Sequence, residues 1–471
     1  MFKIYNTLTR TKIPLPRPPL RLFVCGPTVY DVSHIGHGRT YVTFDIIARI
    51  LRTRGLKLTY LQNITDVEDK IIARAQKDGV TWKRVARTFE HAYLADTAKL
   101  RIASPNIYAR ASDYIPEMID QITKLLAKKY AYITSTGVYF SIQRFTEYGK
   151  LSHQRPKQME EAVRIDPDPT KKHFADFALW KFARQREPWW NSPWGKGRPG
   201  WHIEDTAITF SHFGPQYELH GAAIDLIFPH HESEIAQAEG AFGKKPFVKL
   251  WLHSGFVNIR GEKMSKSLGN IITIREILET WPAEVFRMFV ARNHYRSPID
   301  YDEDLLKDAS QGLSRIEGFI ERLGKMKAAK QKSGATQHIK KFTAAFWEAL
   351  EDDFHTPKAL SAVFDFISYA NPLVEKNALS RNEQKAAAAF LKLVDDIFGI
   401  LPPKKQRGTI PAGVKRLVQL REKMRAEKKF GEADAIRAQL LEEGWIIEDM
   451  ASGPRMKKAR SNDTNTRMHP N

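Results

Sequence analysis

LRLFVCGPTVYDVSHIGHGRTYVTFDIIARILRTRGLKLTYLQNI, residues 20–64, is the stretch whose punctuation decides the fold. The run LRLFVC at residues 20–25 has the composition of a short buried strand, and Gly26-Pro27 breaks it. After the loop a helical pattern sets in: Phe44, Ile47, Ala48 and Leu51 fall on one face, and Gly55 supplies a stop. LTYLQNI, from Leu58 to Ile64, then reads as a second strand. Strand, loop, helix and strand of these lengths make a right-handed crossover unit of a parallel sheet, whose ligands bind at the carboxyl ends of the strands. The loops after Cys25 and Ile64 are therefore where chemistry is expected.

Outward from this unit, residues 113–199 interrupt the alternation with a helix, a hairpin at TSTGVYF and a stretch holding Trp180, Trp189, Trp190 and Trp194, which we read as an insertion. Alternation resumes at IDLIFPHH, where a buried strand from Ile224 to Phe228 is expected to meet Pro229 and a helix from about His230. From Glu303 the pattern is helical almost throughout, and Pro402-Pro403-Lys404-Lys405 has the composition of a linker. Beyond it lie two amphipathic stretches, about Val414 to Lys428 and Glu432 to Leu441, then a strand-like GWIIED. The residues after Pro454 are expected to be a disordered tail. No tandem repeat is evident.

The chain has 471 residues, 42% of them apolar, enough for a large core divided over several domains. Its formal charge of +20 predicts a polyanionic partner, with nucleic acid foremost. Between Leu401 and Asn471 there are 16 basic and 9 acidic residues, a net +7. Cys25 is the only cysteine, which excludes an intramolecular disulfide and favours a reducing compartment. MFKIYNTLTR lacks the apolar core of a signal peptide, and no uninterrupted run is long enough to span a bilayer, so a cytoplasmic protein without membrane association is expected.

Two short blocks carry phosphate chemistry. His34-Ile35-Gly36-His37 stands at a strand-to-helix loop, where helix amides and the positive end of the dipole favour phosphate. Gly36 lets a flat base approach the backbone, and His34 and His37 can donate to phosphate oxygens as negative charge develops. Lys263-Met264-Ser265-Lys266-Ser267, followed by Leu268-Gly269-Asn270, sets cations and hydroxyls beside a glycine. Taken alone, each block has a plain alternative, a pair of loop histidines or a solvated basic loop. Their occurrence together and in this order resembles the HIGH and KMSKS signatures of class I aminoacyl-tRNA synthetases.

More specifically, CGPTVYDVSHIGHGRTYVTFD, NITDVEDKI, GWHIED, FPHHESEIAQ and HYRSPIDYDEDL are together similar to the cysteinyl-tRNA synthetase family, in order from about Tyr5 to Lys458. The resemblance implies an α/β fold: a Rossmann-type parallel-sheet catalytic domain at 1–112 and 200–245, a connective insertion at 113–199, and a KMSKS-containing stem-contact region at 246–305. A helical bundle at 306–400 and a small anticodon-binding module with a basic tail at 401–471 would follow. It implies ATP with Mg2+, L-cysteine and tRNA(Cys) as partners of a monomer, with His34, His37, Lys263 and Lys266 catalytic. Gly36, His37, Ser265 and Lys266 would bind ATP; Gly26, Thr65, Trp201 and Asp225 would surround the amino acid, Asp225 meeting its ammonium group.

That family binds the substrate thiolate on a zinc ion held by two cysteines, a histidine and a glutamate. Cys25, His230 and Glu234 match three of these, and the i, i+4 spacing of the last two puts both on one helical face. At the second cysteine this chain has Asp205. Aspartate keeps the negative charge and also binds zinc, so Asp205 is expected to complete the site; a lost zinc, or recruitment of His202 or Glu204, is the alternative. Ala222-Ala223 is a second departure, where glycines are usual. A cysteine:amino-sugar ligase with the same nucleotide machinery and a non-catalytic RNA-binding paralogue are the rival readings. The C-terminal module argues against the first, and intact His34, His37 and Lys266 argue against the second.

Overall fold

The two apolar runs of the opening segment lie side by side in parallel, Leu20 opposite Leu58 and Val24 opposite Gln62. The computed structural model describes residues 1–154, 168–259, 261–264, 269–331, 333–402, 412–427, 429–450 and 453–458. A hairpin of β1 (Lys3–Asn6) and β2 (Thr11–Pro14) comes first, followed by β3 (Leu20–Val24), β4 (Leu58–Ile64) and β5 (Ile107–Arg110). The insertion contributes β6 (Ala131–Ile133), β7 (Gly137–Phe140), β8 (Phe177–Phe182) and β9 (Gly197–Pro199), and the chain then returns with β10 (Tyr217–Ala223) and β11 (Val248–Ser254). The main sheet is parallel, in the order β11-β10-β3-β4-β5, a doubly wound arrangement with a crossover at its centre. Its outer strand runs to Ser254, so the sheet continues past residue 245.

Helix α1 (Ile35–Thr53) makes the first crossover, buries Phe44, Ile47, Ala48 and Leu51 as its spacing requires, and is followed by Gly55 at φ +79°. Asp45, on the same helix and fully buried, is 2.7 Å from Arg287 Nη2 and 2.8 Å from Arg49 Nε. Arg287 also donates to the carbonyls of Phe398 and Leu100. A charge this deep is tolerated only when paired and hydrogen-bonded, and here the pairing ties α1 to the helix Ala283–Ala291 and to the end of the helix Arg381–Phe398.

The insertion forms its own antiparallel sheet, β6-β7-β8-β9, with the expected hairpin at Ile133 to Val138. The expectation of a strand at Ile224–Phe228 is corrected. Strand β10 ends at Ala223, paired with Ser254 at the end of β11, so no ladder partner exists beyond it. Ile224–Leu226 is a 3-10 turn with Ile224 exposed, and Phe228 is an extended kink at φ −134°, ψ 133°. An apolar run alone does not distinguish a strand from such a turn.

The strands β12 (Val257–Ile259), β13 (Glu262–Lys263) and β14 (Ile299–Tyr301) form a small sheet beside the main one. From Glu303 the chain is helical, with helices at Glu303–Lys325, Ala335–Glu351, Thr356–Glu375 and Arg381–Phe398. The C-terminal module has helices at Ala412–Ala426 and Phe430–Glu442 and a hairpin of β15 (Trp445–Met450) and β16 (Gly453–Lys458), closed over Val414, Leu440 and Ile447. The disordered tail expected after Pro454 is corrected in its first four residues, since Arg455 to Lys458 pair with Glu448 to Trp445 as the second strand of this hairpin; residues from 459 on, and Pro403, Lys404 and Lys405 of the linker, lie outside the described residues. Among the described residues no helix is long and apolar enough to cross a membrane.

Candidate active site

His34 is the N-cap of α1, and its Nδ1 accepts the backbone N–H of His37 at 3.4 Å, while His37 Nδ1 accepts the backbone N–H of His34 at 3.4 Å. The rings stack at 3.8 Å between centroids. A neutral imidazole that accepts at Nδ1 carries its proton on Nε2, so this reciprocal cap turns both rings into Nε2–H donors beside the positive end of α1. The carbonyl of Ile272 accepts from Ile35 and that of Ser33 accepts from Ile274, both at 2.9 Å. Met264, in the second motif, reaches back: a Cβ on residue 36 would stand 3.0 Å from the His34 ring and 3.3 Å from Met264 Cε, so Gly36 leaves room for both.

A cavity of about 320 Å³ opens here, lined by Cys25, Gly26, His34, Gly36, His37, Lys70, Trp201, Asp225 and Met264, among others. Of the residues expected from sequence, it gathers Cys25, Gly26, His34, Gly36, His37, Trp201 and Asp225. Gly26 is required by crowding, since a Cβ would sit 1.7 Å from the carbonyl oxygen of Asn63. Thr65 does not line the cavity; its hydroxyl donates to Glu204. Trp201, expected beside the substrate, is 40% exposed and stacks on His230 at 4.2 Å. The backbone of Lys263 lies in β13, whereas Ser265 and Lys266 lie outside the described residues.

Behind Cys25 is a buried cluster. Cys25 Sγ is 3.5 Å from Asp205 Oδ2, and His230 Nε2 is 3.0 Å from Asp205 Oδ2 and 3.2 Å from Glu234 Oε1. Cys25, Asp205, His230 and Glu234 offer ligand atoms all within 4.8 Å of one another, and so do Cys25, His220, His231 and Glu234. The helix α5 (Trp201–Phe213, numbered after α2, Asp69–Asp78, α3, Trp82–Lys99, and α4, Ile115–Ala127) presents Asp205. The kink at Ile227–His231 and the helix α6 (Glu232–Phe242) present His230 and Glu234. Asn63 Nδ2 holds the other Asp205 oxygen at 2.6 Å and so aims Oδ2 at the cluster. Neither oxygen of the fully buried Glu234 receives a hydrogen bond, although Oε1 lies close to His230. A buried carboxylate without donors is costly, and a cation is the partner this donor set fits. His202 and Glu204 are used otherwise: His202 Nδ1 meets His230 Nδ1 at 2.7 Å, and Glu204 accepts from Thr65 and Asn63.

Electrostatics agree with that reading. Burial, reinforced by the Asp205 and Glu234 carboxylates, pushes the Cys25 thiol well above its ordinary value. Burial and the neighbouring Asp205 and Glu204 raise Glu234 well above the carboxylate range. Burial lowers His220 and His231 far below the histidine range and takes His253 to about 3. Without a cation these surroundings favour the neutral thiol of Cys25, the protonated form of Glu234 and neutral His220, His231 and His253; a bound divalent ion would favour the opposite for the two acids.

Sequence reasoning missed His220, His231 and His253. His220 Nε2 and His231 Nε2 stand 3.3 and 3.2 Å from Cys25 Sγ, and their Nδ1 atoms meet Tyr217 OH and His253 Nε2. The only signal was the density of histidines around residues 220 and 231; their convergence comes from the pairing of β10 with β3 and β11.

The chain matches two family models: tRNA synthetases class I (C) catalytic domain over residues 13–311, and DALR domain over residues 345–402. It is 39% identical over 464 residues to a cysteine–tRNA ligase of Carboxydothermus hydrogenoformans, covering 97% of this chain and 100% of the relative. With that of Pyrococcus abyssi the identity is 41%, over 95% of this chain and 97% of the relative. Among solved structures, Mycobacterium tuberculosis methionyl-tRNA synthetase in complex with methionyl-adenylate superposes with a TM-score of 0.59 at 16% identity, over 81% of this chain and 89% of that one, a likeness of fold. With the signature histidines at the parallel-sheet crossover, the metal-type cluster behind them and this similarity along nearly its whole length, the chain belongs to the cysteine–tRNA ligase family of class I aminoacyl-tRNA synthetases.

Proposed function

We propose that the protein activates L-cysteine with ATP and passes it to the 3′ end of tRNA(Cys). The observation that carries this reading is the convergence of Cys25, Asp205, His230 and Glu234 within 4.8 Å, with Cys25 bordering the same cavity as His34 and His37. The cysteine carboxylate attacks the α-phosphorus of Mg2+-bound ATP, the bond to pyrophosphate breaks, and cysteinyl-adenylate forms. The terminal ribose hydroxyl of the tRNA then attacks the carbonyl and AMP leaves. The attacking carboxylate of the first step has no proton to lose, so positioning and charge stabilisation do most of the catalysis of that step.

His34 and His37 donate through Nε2 to the phosphates, and Lys263, Ser265 and Lys266 hold the departing pyrophosphate. Asp225 meets the substrate's ammonium group, Gly26 and Trp201 bound its side, and Thr65 acts by holding Glu204 in place. Cys25, Asp205, His230 and Glu234 would hold one zinc ion. When bound, zinc supplies a Lewis acid that takes the substrate's sulfur as thiolate in preference to a serine hydroxyl, whose proton is far harder to remove. The enzyme acts as a monomer in the cytoplasm. ATP–pyrophosphate exchange with each amino acid, run with Mg2+ in excess and with or without a zinc-selective chelator, tests this: cysteine alone should support exchange, and chelation or Asp205→Ala should abolish it while Asp205→Cys retains it. Undiminished exchange in chelated wild-type protein would contradict the proposal.

A further inference from the structure

The Trp-rich stretch of the insertion is not used by the amino-acid site. Trp189 is 49% exposed, and the Lys196 ammonium lies 4.1 Å from its ring centroid. Trp190 exchanges both backbone hydrogen bonds with Gly197, at 2.7 and 3.1 Å, which fixes the Trp189–Lys196 pair onto β9. A second element joins the patch: Trp82, opening α3, meets Trp190 edge-on at 5.8 Å, and the Lys83 ammonium lies 5.6 Å from the Trp82 ring. Neither Lys83 nor Lys196 meets a carboxylate among the described residues. From Lys196 the chain runs along β9 to Trp201 at the cavity, five extended residues or about 16 Å.

Aromatic faces interleaved with unneutralised cations form the kind of surface on which unpaired nucleotides stack while the cations meet the phosphates. We infer that Trp189, Lys196, Trp82 and Lys83 form a stacking platform for the unpaired 3′ end of the tRNA on its way to the adenylate. A protein partner would have to bring carboxylates to both lysines and flat groups to both rings, whereas a nucleic acid whose end must reach the cavity supplies phosphates and bases together. The inference rests on tRNA charging, and ATP–pyrophosphate exchange reports on activation without involving the platform.

The test compares Trp189→Ala, Trp189→Phe and Lys196→Ala in the full-length protein, using tRNA(Cys) transcripts with and without the unpaired 3′ nucleotides. Trp189→Ala should weaken binding of intact tRNA by roughly 5- to 100-fold, the usual loss for one stacked base, with exchange unchanged. Trp189→Phe should keep most of the affinity, and Lys196→Ala should reduce the salt dependence of binding by about one phosphate contact. On the truncated transcript wild type and Trp189→Ala should bind equally. Unaltered affinity of Trp189→Ala for intact tRNA would overturn the inference, and so would an equal loss on the truncated transcript, which would place the contact elsewhere on the tRNA.

Discussion

Ile35 donates its backbone N–H to the carbonyl of Ile272 at 2.9 Å, and this bond ties the loop of His34 to the chain leaving the Lys263–Ser267 motif. The His34 loop is therefore braced through backbone against Ile272 and Ile274, which follow the second motif, so the histidines have a fixed frame from which to donate. Replacing His34 or His37 by alanine removes one preorganised donor and half of the reciprocal cap. Cysteine-dependent pyrophosphate exchange should fall by a factor on the order of 10² to 10³. His34→Ala should also cost about 1 kcal/mol of stability by thermal unfolding, the usual loss for an N-cap. Exchange at the wild-type rate in both variants would remove them from the catalytic step.

Asp45→Asn tests the buried pair that joins α1 to the helical half. Arg287 would be left charged with no counter-ion, and unfolding by urea should show a loss of about 3–5 kcal/mol. Burial alone would raise the Asp45 carboxyl, but the Arg287 and Arg49 guanidiniums win and hold it below its usual range. A lowered carboxyl stabilises the fold above its unfolded value near pH 4 and loses that contribution as pH falls, so the difference between wild type and Asp45→Asn should shrink in acid. A loss under about 1 kcal/mol at neutral pH would mean the pair is not the tie the geometry suggests.

Removing the chain beyond Pro402 should spare cysteine activation and impair charging, because the nucleotide cavity lies wholly upstream of it. The cut has to fall there and not earlier: Leu401 is buried, its carbonyl accepts from Arg101 at 2.6 Å and its N–H donates to Asp395 at 2.8 Å. Steady-state aminoacylation should show a raised KM for tRNA(Cys) and a nearly unchanged exchange rate. Normal charging by a soluble truncated protein would assign the module another role.

Metal affinity should depend steeply on pH. Burial favours the protonated forms of Cys25 and Glu234, so an incoming zinc ion must displace those protons. Competition with a chelator should show affinity falling as pH drops, by up to about tenfold per pH unit for each proton displaced. Affinity that is flat between pH 6 and 8 would imply that the two acids are already ionised, or are not ligands.

What could be read in the sequence follows from how local each signal is. The crossover from Leu20 to Ile64 was legible because strand and helix periodicities are properties of neighbours, and the His34–His37 block because a cap and its helix are contiguous. Ile224–Phe228 was misread because whether an apolar run continues a strand depends on where its partner β11 ends. Asp205 could be placed only by its position in the GWHIED block; that Asn63 turns its carboxylate toward Cys25 depends on β4 and α5 meeting in space. The convergence of His220, His231 and His253 on Cys25 was invisible for the same reason, being assembled by β3, β10, β11 and the kink after Phe228.

Recognition of the substrate's sulfur by zinc at Cys25, Asp205, His230 and Glu234 is tested most directly by zinc X-ray absorption on the purified full-length protein, before and after adding L-cysteine. The metal shell alone should contain one sulfur, from Cys25, with nitrogen and oxygen neighbours. Cysteine should add a second sulfur at about 2.3 Å, and serine should add none. A protein that binds and activates cysteine while the zinc shell keeps a single sulfur, or while no zinc is present, would contradict it.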